Sequence, residues 1–431
     1  MEGYPVHVLH RHQYVETSNP FPVMSTFYPS HLDAFGRLRI SQPFTLFDSS
    51  TRYQDSLDFL HYTSNNAYRT FDSNHGCATL YVGSNQGDLI YRETSKVFAY
   101  QPGKSLLVLE SFTFNPLTTG LRQRVGYFDT SNGIYLQAEN SNISFVRRSV
   151  VSGSVLETVV PQNQWNYDTF NGLGISQKTL DITRAQILFI DVEWLGVGTV
   201  RTGFVVDGQF LLCHRFNHAN AASTVYTDTT LPYMTTACLP LRYELENIAS
   251  TGVNKTSRMF PICTSVLSEG GYEIRGRSGS IGWSVLDAPR DIPAKNTLYP
   301  ILALRLKTSR LSAIVVPRAI SLINTVAGDC RWVIVLRATV TGGTWYSAGN
   351  DSSVEYNLEG TNAITDGTIV RQGYFTATTN SSAVVSLDSS IFRYQLERNS
   401  FTNTPTNFVV GLASSDINDK VLVAVDWEEM S

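Results

Sequence analysis

The sequence predicts an all-β protein: a two-sheet sandwich of jelly-roll type over residues 51–270 and a second, smaller β-sandwich over 298–431. An extended arm (1–50) precedes the first sandwich, and a Gly/Pro-rich connector (271–297) joins the two. Three observations carry that expectation. The stretch ILFIDVEWLGVGTVRTGFVVDGQFLLCHRF (187–216) alternates apolar and polar residues with a period of two, as half-buried strands do. Charged residues make up only 16% of the chain, whereas β-branched and aromatic residues are plentiful. Short apolar runs bounded by Gly, Pro, Asn and Asp recur along its length.

Residues 1–50 contain Pro5, Pro20, Pro22 and Pro29, and their apolar residues have no period. Such a segment is expected to be extended and to gain order on a partner. Aromatic-rich strands follow from residue 50 to 110, the last being Ser105–Phe114 after the turn at Pro102-Gly103. Arg124–Phe128 and Gly133–Ala138 flank the loop residues Asp129 to Gly133, and Ser144–Ser149 pairs with Val155–Val160 around Ser152-Gly153.

The central meander comes next. Leu188, Ile190, Val192 and Trp194 share one face, then Val200, Thr202, Phe204 and Val206, then Phe210, Leu212, His214 and Phe216. Asp207-Gly208 tolerates the positive φ of a two-residue hairpin turn. Leu239–Ile248 and Ile262–Ser268 complete the first sandwich. In the connector, Gly270, Gly271, Gly276, Gly279, Gly282, Pro289 and Pro293 interrupt any element. The second region is expected to hold strands at Leu298–Leu306, Arg331–Val340, Thr368–Thr378, Asn407–Leu412 and Val421–Trp427.

A net charge of −4 and a pI near 6.1 give no footprint for nucleic acid, and Arg147-Arg148 reads as an exposed strand edge. No apolar run approaches the ~18 residues of a membrane helix, and the first residues lack the apolar core of a signal peptide. Cys77, Cys213, Cys238, Cys263 and Cys330 are odd in number and scattered, which argues against a disulfide framework and for a reducing cytoplasm as the place of synthesis.

Catalysis has one candidate, Asp191-Val-Glu193, whose carboxylates lie ~6.6 Å apart along a strand. β-Sandwich glycosidases of the laminarinase type carry Glu-x-Asp-x-Glu there, but Phe189 stands where the nucleophilic Glu would be. A solvated strand end is the simpler reading. An inverting mechanism would need a base from another strand, with Glu244 and Glu246 as sources. Cys213-His214 with His218, and His7, His10 and His12, suggest metal ligands, yet the first spacing spans ~13 Å of extended chain and the second lacks a carboxylate or thiol cluster. Asp351, Glu355 and Glu359 fit no calcium-loop spacing. No catalytic, cofactor-binding or metal residue is therefore assigned, and no cofactor is expected.

Five separated motifs, AFGRLRISQPFTLFDSS (34–50), RVGYFDTSNGIYLQ (124–137), FIDVEWLGVGTVRTGFVVDGQ (189–209), LPLRYELEN (239–247) and ICTSVLSEGG (262–271), occur in this order. Together they resemble a family of virion structural proteins of tailed bacteriophages, many of them marine, and of some other large DNA viruses. The resemblance spans residues 33–431, and the meander is similar to the concanavalin-like jelly roll of many glycan-binding modules. It implies a non-enzymatic protein of the virion surface, as head decoration, fibre or tail-associated appendage. The implied partners are capsid or tail and portal-proximal proteins. The extended N-terminal arm, whose first thirty residues lie outside the resemblance, is expected from its composition to make that contact. Further copies of the chain are expected too, a trimer first. Host-surface glycan is the implied ligand of a lectin-like alternative, and a glycan-degrading tail enzyme is the rival of a different class. Neither nucleic acid nor membrane is an expected partner.

Overall fold

A computed structural model describes residues 9–10, 13–14, 42–56, 58–223, 228–250, 257–272, 276–286, 288–326, 328–377, 382–387, 394–417 and 419–430. It divides into two units, 1–42 and 43–431. In the first, Leu9–His10 pairs with Gln13–Tyr14 in a small antiparallel ladder. The remainder of the expected arm up to residue 41, with His7 and His12, lies outside the described residues.

The second unit begins with β1 (Pro43–Ser50), which corrects the boundary drawn at residue 50. This is an edge strand with only Phe47 buried, so its composition resembles a loop even though it pairs into the sheet. The other strands of the first sandwich are β2 (Phe59–Ser64), β3 (Tyr68–Asp72), β4 (Cys77–Val82), β5 (Leu89–Thr94), β6 (Ser105–Thr113) and β7 (Leu121–Phe128). They continue with β8 (Gly133–Glu139), β9 (Asn142–Ser149), β10 (Leu156–Pro161), β11 (Gln186–Val192), β12 (Val200–Val206), β13 (Gln209–Phe216), β14 (Leu241–Asn247) and β15 (Ser257–Glu269).

Seven strands form one sheet in the order β10-β9-β8-β7-β14-β5-β2. Eight form the other: β13-β12-β11-β6-β15-β4-β3, with β1 also on β15. The chain crosses between sheets after β1, β2, β4, β5, β6, β10, β13 and β14, and this alternation makes the two-layer jelly roll. Leu106, Val108, Val125, Tyr127, Leu136, Phe145, Leu188, Ile190 and Phe204 meet between the layers. All five cysteines are free.

The meander keeps its expected turn: Asp207 and Gly208 have φ of 52° and 75°, and Val206 pairs with Gln209. Its third strand departs from strict alternation. Thr202 pairs with His214 but Gly203 with Leu212, so Cys213 is one residue too many. A bulge of this kind reverses the faces on either side of it. His214 and Phe216 turn toward the core, whereas Phe210 and Leu212 lie on the outer face, which corrects the single face expected for all four.

The second sandwich comprises β16 (Arg277–Gly282), β17 (Tyr299–Leu306), β18 (Ile314–Asn324), β19 (Gly328–Leu336), β20 (Val354–Asn357), β21 (Thr368–Ala377), β22 (Ser382–Ser386), β23 (Phe408–Ser414) and β24 (Lys420–Met430). One sheet runs β16-β24-β18-β22 with Arg290–Asp291 on β24, and the other runs Tyr346–Ser347, then β20-β17-β23-β19-β21. Two corrections follow. Part of the expected connector is strand: β16 and Arg290–Asp291 both pair with β24. Its glycines serve packing, since a Cβ on Gly279 would stand 2.4 Å from the ring of its cross-strand partner Trp427. The strand β18 was not expected, because Pro317 interrupts its run. The ladder accommodates Pro317 by a bulge before Ala319.

The two sandwiches share an apolar contact of Val97, Ala99, Cys238, Tyr272, Ile314 and Val316. Hydrogen bonds ring it: Arg398 Nη2 to Cys238 O at 2.7 Å, Arg337 Nη2 to Ser95 Oγ at 3.0 Å, and Ser400 Oγ to Thr94 O at 2.8 Å.

Candidate functional site

The outer face of the eight-stranded sheet carries a groove of about 260 Å3 lined by Leu107, Phe189, Asp191, Arg201, Phe210, Leu212 and Glu269. Register explains the assembly. Asp191 stands between Leu107 and Arg201, and Phe189 between Leu109 and Gly203. A Cβ on Gly203 would come within 2.8 Å of the Phe189 ring, so glycine lets that ring lie across β12. Phe210, 53% exposed, meets Phe189 edge to face with centroids 5.2 Å apart. Leu107 and Leu212 give the groove its remaining apolar surface.

Its polar end is built on Asp191, Arg201 and Glu269. The Asp191 carboxylate is buried and pairs with the Arg201 guanidinium. Burial pushes its carboxyl up, Arg201 opposes this, and Glu269 adds to it. Glu269 accepts a hydrogen bond from Ser105 Oγ at 2.7 Å. The groove therefore offers aromatic faces next to an acid–guanidinium pair, a combination suited to a polyhydroxylated ring.

Only half of the sequence candidate enters this site. Glu193 lies past the end of β11, where Oε2 accepts from the backbone N–H of Thr199 at 3.1 Å and so closes the turn to β12. Asp191 is not on a wet strand end, as expected, but under Arg201. Glu244 and Glu246 belong to β14 of the other sheet and face away from Asp191 across the whole sandwich. Neither serves as a base for a sugar lying on Asp191. Arg201, Phe210 and Glu269 escaped sequence reasoning. Arg201 and Glu269 meet Asp191 only through cross-strand register, and Phe210 reaches the outer face through the hairpin register that pairs it with Val205.

The outer face of the seven-stranded sheet holds Glu244 in a buried network instead. Arg124 Nη1 donates to Glu244 Oε1 at 2.7 Å, and Arg242 Nη2 lies 2.9 Å from Oε2. The arginines hold the Glu244 carboxyl down against the opposing effect of burial. Arg242 stacks over Tyr91, with its guanidinium carbon 3.6 Å from the ring centroid. Arg147 and Arg148, expected at an exposed edge, are both buried. Arg147 lies over the Phe216 and Tyr233 rings, and Arg148 pairs with Glu157 at 2.7 Å. Successive residues of β9 face opposite sides of the sheet: Arg147 lies on the core side, and Arg148 covers the Phe128 and Tyr135 rings of the outer face.

The histidine candidates separate in role. His214 packs edge to face on Phe216, while His218 Nε2 lies 2.6 Å from Leu231 O. Glu355 is engaged by Arg305 at 2.9 Å, apart from the exposed Asp351 and Glu359. Among the described residues, no group of three His, Cys, Asp or Glu could hold a metal ion.

No protein-family model matches the chain, and no curated protein matches it in sequence. Several solved structures are similar to about half of it. One is a carbohydrate esterase from a Shiga toxin-encoding bacteriophage, with 11% identity, coverage of 53% of this chain and 99% of that one, and a TM-score of 0.31. Another is the CBM2 module of the evolved Dit of a Lactobacillus casei phage, at 6% identity, 55% and 100% coverage, and a TM-score of 0.33. A third is a beta-1,3-glucanase from Mycobacterium marinum, at 10% identity, 52% and 98% coverage, and a TM-score of 0.35. Phage proteins and glycan-active proteins thus both occur among them. Likeness at this level transfers neither ligand nor activity to this chain.

Proposed function

We propose that the chain is a non-enzymatic structural protein of a virion, displayed on the particle surface as head decoration, fibre or tail-associated appendage, and that its groove on β11–β13 contacts host-surface glycan. The five ordered motifs support the virion reading. One observation carries the non-enzymatic, glycan-contacting part: the Phe189 ring lies over Gly203 where a retaining glycosidase would place its nucleophile. An aromatic ring there stacks on a sugar and cannot attack it. The chain takes its place in the particle through the segment before β1 and through contacts with further copies.

The rival reading, a glycan-cleaving enzyme, draws on Glu269 beside Asp191 in the same groove. One experiment separates the two. The protein is titrated calorimetrically with host-surface polysaccharide, and the same mixture is assayed for new reducing ends. The expected result is binding that Phe210→Ala weakens at least tenfold, with no sugar release between pH 4 and 9. Release that disappears in Glu193→Gln or Glu269→Gln would establish the enzyme instead. Peptide mass spectrometry of purified particles checks the virion assignment, and the absence of this chain from them would overturn it.

A further inference from the structure

A larger cavity, of about 790 Å3, opens between the two sandwiches, within the ~300–1,000 Å3 typical of small-molecule sites. The first sandwich contributes Tyr100, Trp194 and Thr236, and the second contributes Arg277, Arg310 and Ser312. Thr236 Oγ1 donates to Ser312 Oγ at 3.2 Å, tying the two sides together. The aromatic side is held firmly. Trp194 stands edge to face on Tyr233 with centroids 4.9 Å apart. The turn after it contains Leu195 at φ 39° and is closed by Gly198 N–H donating to Trp194 O at 2.8 Å. A bulky residue in the left-handed region is strained, and such strain concentrates at ligand sites.

The opposite side carries two guanidinium groups. Arg277 and Arg310 both donate to the carbonyl oxygen of Asp351, Arg310 Nη1 from 2.6 Å, so two guanidinium groups share one neutral acceptor. Arg310 also reaches Asn350 O at 3.2 Å, and no carboxylate lies within 4.0 Å of it among the described residues. Arg277 has the carboxylates of Asp351 and Glu429 at 3.7 and 4.0 Å, beyond direct hydrogen bonding. The Asp351 carboxylate is itself 85% exposed. Guanidinium groups with spare N–H donors bind a planar carboxylate in two-pronged fashion. Aromatic rings and the Thr236 and Ser312 hydroxyls on the same cleft suit the sugar ring that bears it.

We propose that this cleft is a second saccharide site, selective for a uronic-acid unit whose carboxylate engages Arg277 and Arg310 while its ring rests on the Trp194 side. The site is independent of the outer groove. The full chain is titrated calorimetrically with trigalacturonic acid, maltotriose and a triglutamate peptide, at 50 and 500 mM NaCl. The expected result is binding of the acidic sugar alone, weakened at least tenfold by Arg310→Met and several-fold by high salt, and unchanged in Phe210→Ala. Where Arg310→Met proves unstable in a thermal melt, Ser312→Tyr narrows the cleft without touching either guanidinium, and it too should abolish binding. Equal binding of maltotriose or triglutamate that persists in Phe210→Ala, no binding, or indifference to both cleft variants would overturn the proposal. Binding lost only in Phe210→Ala would place the acidic sugar in the outer groove, overturning this site while leaving the groove reading intact.

Discussion

Glu110 is fully buried on the core face of β6, and neither carboxylate oxygen has a hydrogen-bond partner among the described residues. Burial alone pushes its carboxyl well above the usual carboxylate range. The folded chain therefore keeps a proton that the unfolded chain releases above about pH 4.3. Stability falls as pH rises through that window, by about 1.4 kcal/mol per pH unit while the carboxyl stays neutral. Glu110→Gln should accordingly stabilise the protein at pH 7 and lose its advantage below pH 4, as urea melts across that range would read. His214 acts with the opposite sign. Burial lowers it to about 4, and His61 falls to about 4 through burial and then Arg92 and Arg69. As pH drops below about 6.5 the unfolded chain takes up these protons first, so stability is lost between about pH 6.5 and 4. In the same melts His214→Phe should flatten that acid limb.

An aromatic ring crossing a glycine on the neighbouring strand recurs in both sandwiches: Phe189 over Gly203, Trp332 over Gly373 and Trp427 over Gly279. In each case the missing side chain makes room for the ring. Gly203→Val should cost about 3 kcal/mol or more, measurable in denaturant melts, because its Cβ meets the Leu211 carbonyl oxygen of the next strand as well as the Phe189 ring. It should also weaken glycan binding by displacing Phe189. The same device explains which elements were legible. Gln186–Val192 and the Asp207-Gly208 hairpin follow from local alternation and turn chemistry, so the sequence identifies them within a residue or two. Arg277–Gly282 reads as a connector because its glycines make sense only opposite Trp427, about 150 residues later. Ile314–Asn324 hides behind Pro317, whose bulge depends on the partner strand. The groove is half visible in the sequence: Phe189 and Asp191 lie on one alternating run, and the Asp207-Gly208 turn pairs Phe210 with Val205. The bulge at Cys213, which turns His214 and Phe216 to the other face, is marked by no local pattern.

The two sandwiches carry separate cores, yet Ile314 and Val316 of the second pack on Val97 and Ala99 of the first and on Tyr272, just past its last strand. Residues 43–431 accordingly form one unit. The chain should melt in a single transition, and Ile314→Asp, which buries an unpaired charge in the shared contact, should split it into two by calorimetry. Removing residues 1–32 should leave that transition in place, because every strand of both sandwiches begins at or after Pro43. On the proposed reading the truncated chain should be missing from assembled particles, which a peptide count of purified particles would test.

The strand Ser257–Glu269 joins β6 on one side to β4 and β1 on the other, so it supplies the middle of the eight-stranded sheet. On the ribosome this sets an order of events. β6 ends at Thr113, and its partner is not complete until residue 269 has been made. At about 5–20 residues per second that delay is roughly 8–30 s, during which one edge of β6 stays open. The nascent chain should thus be protease-sensitive when stalled before residue 257 and abruptly resistant once residue 269 has cleared the exit tunnel.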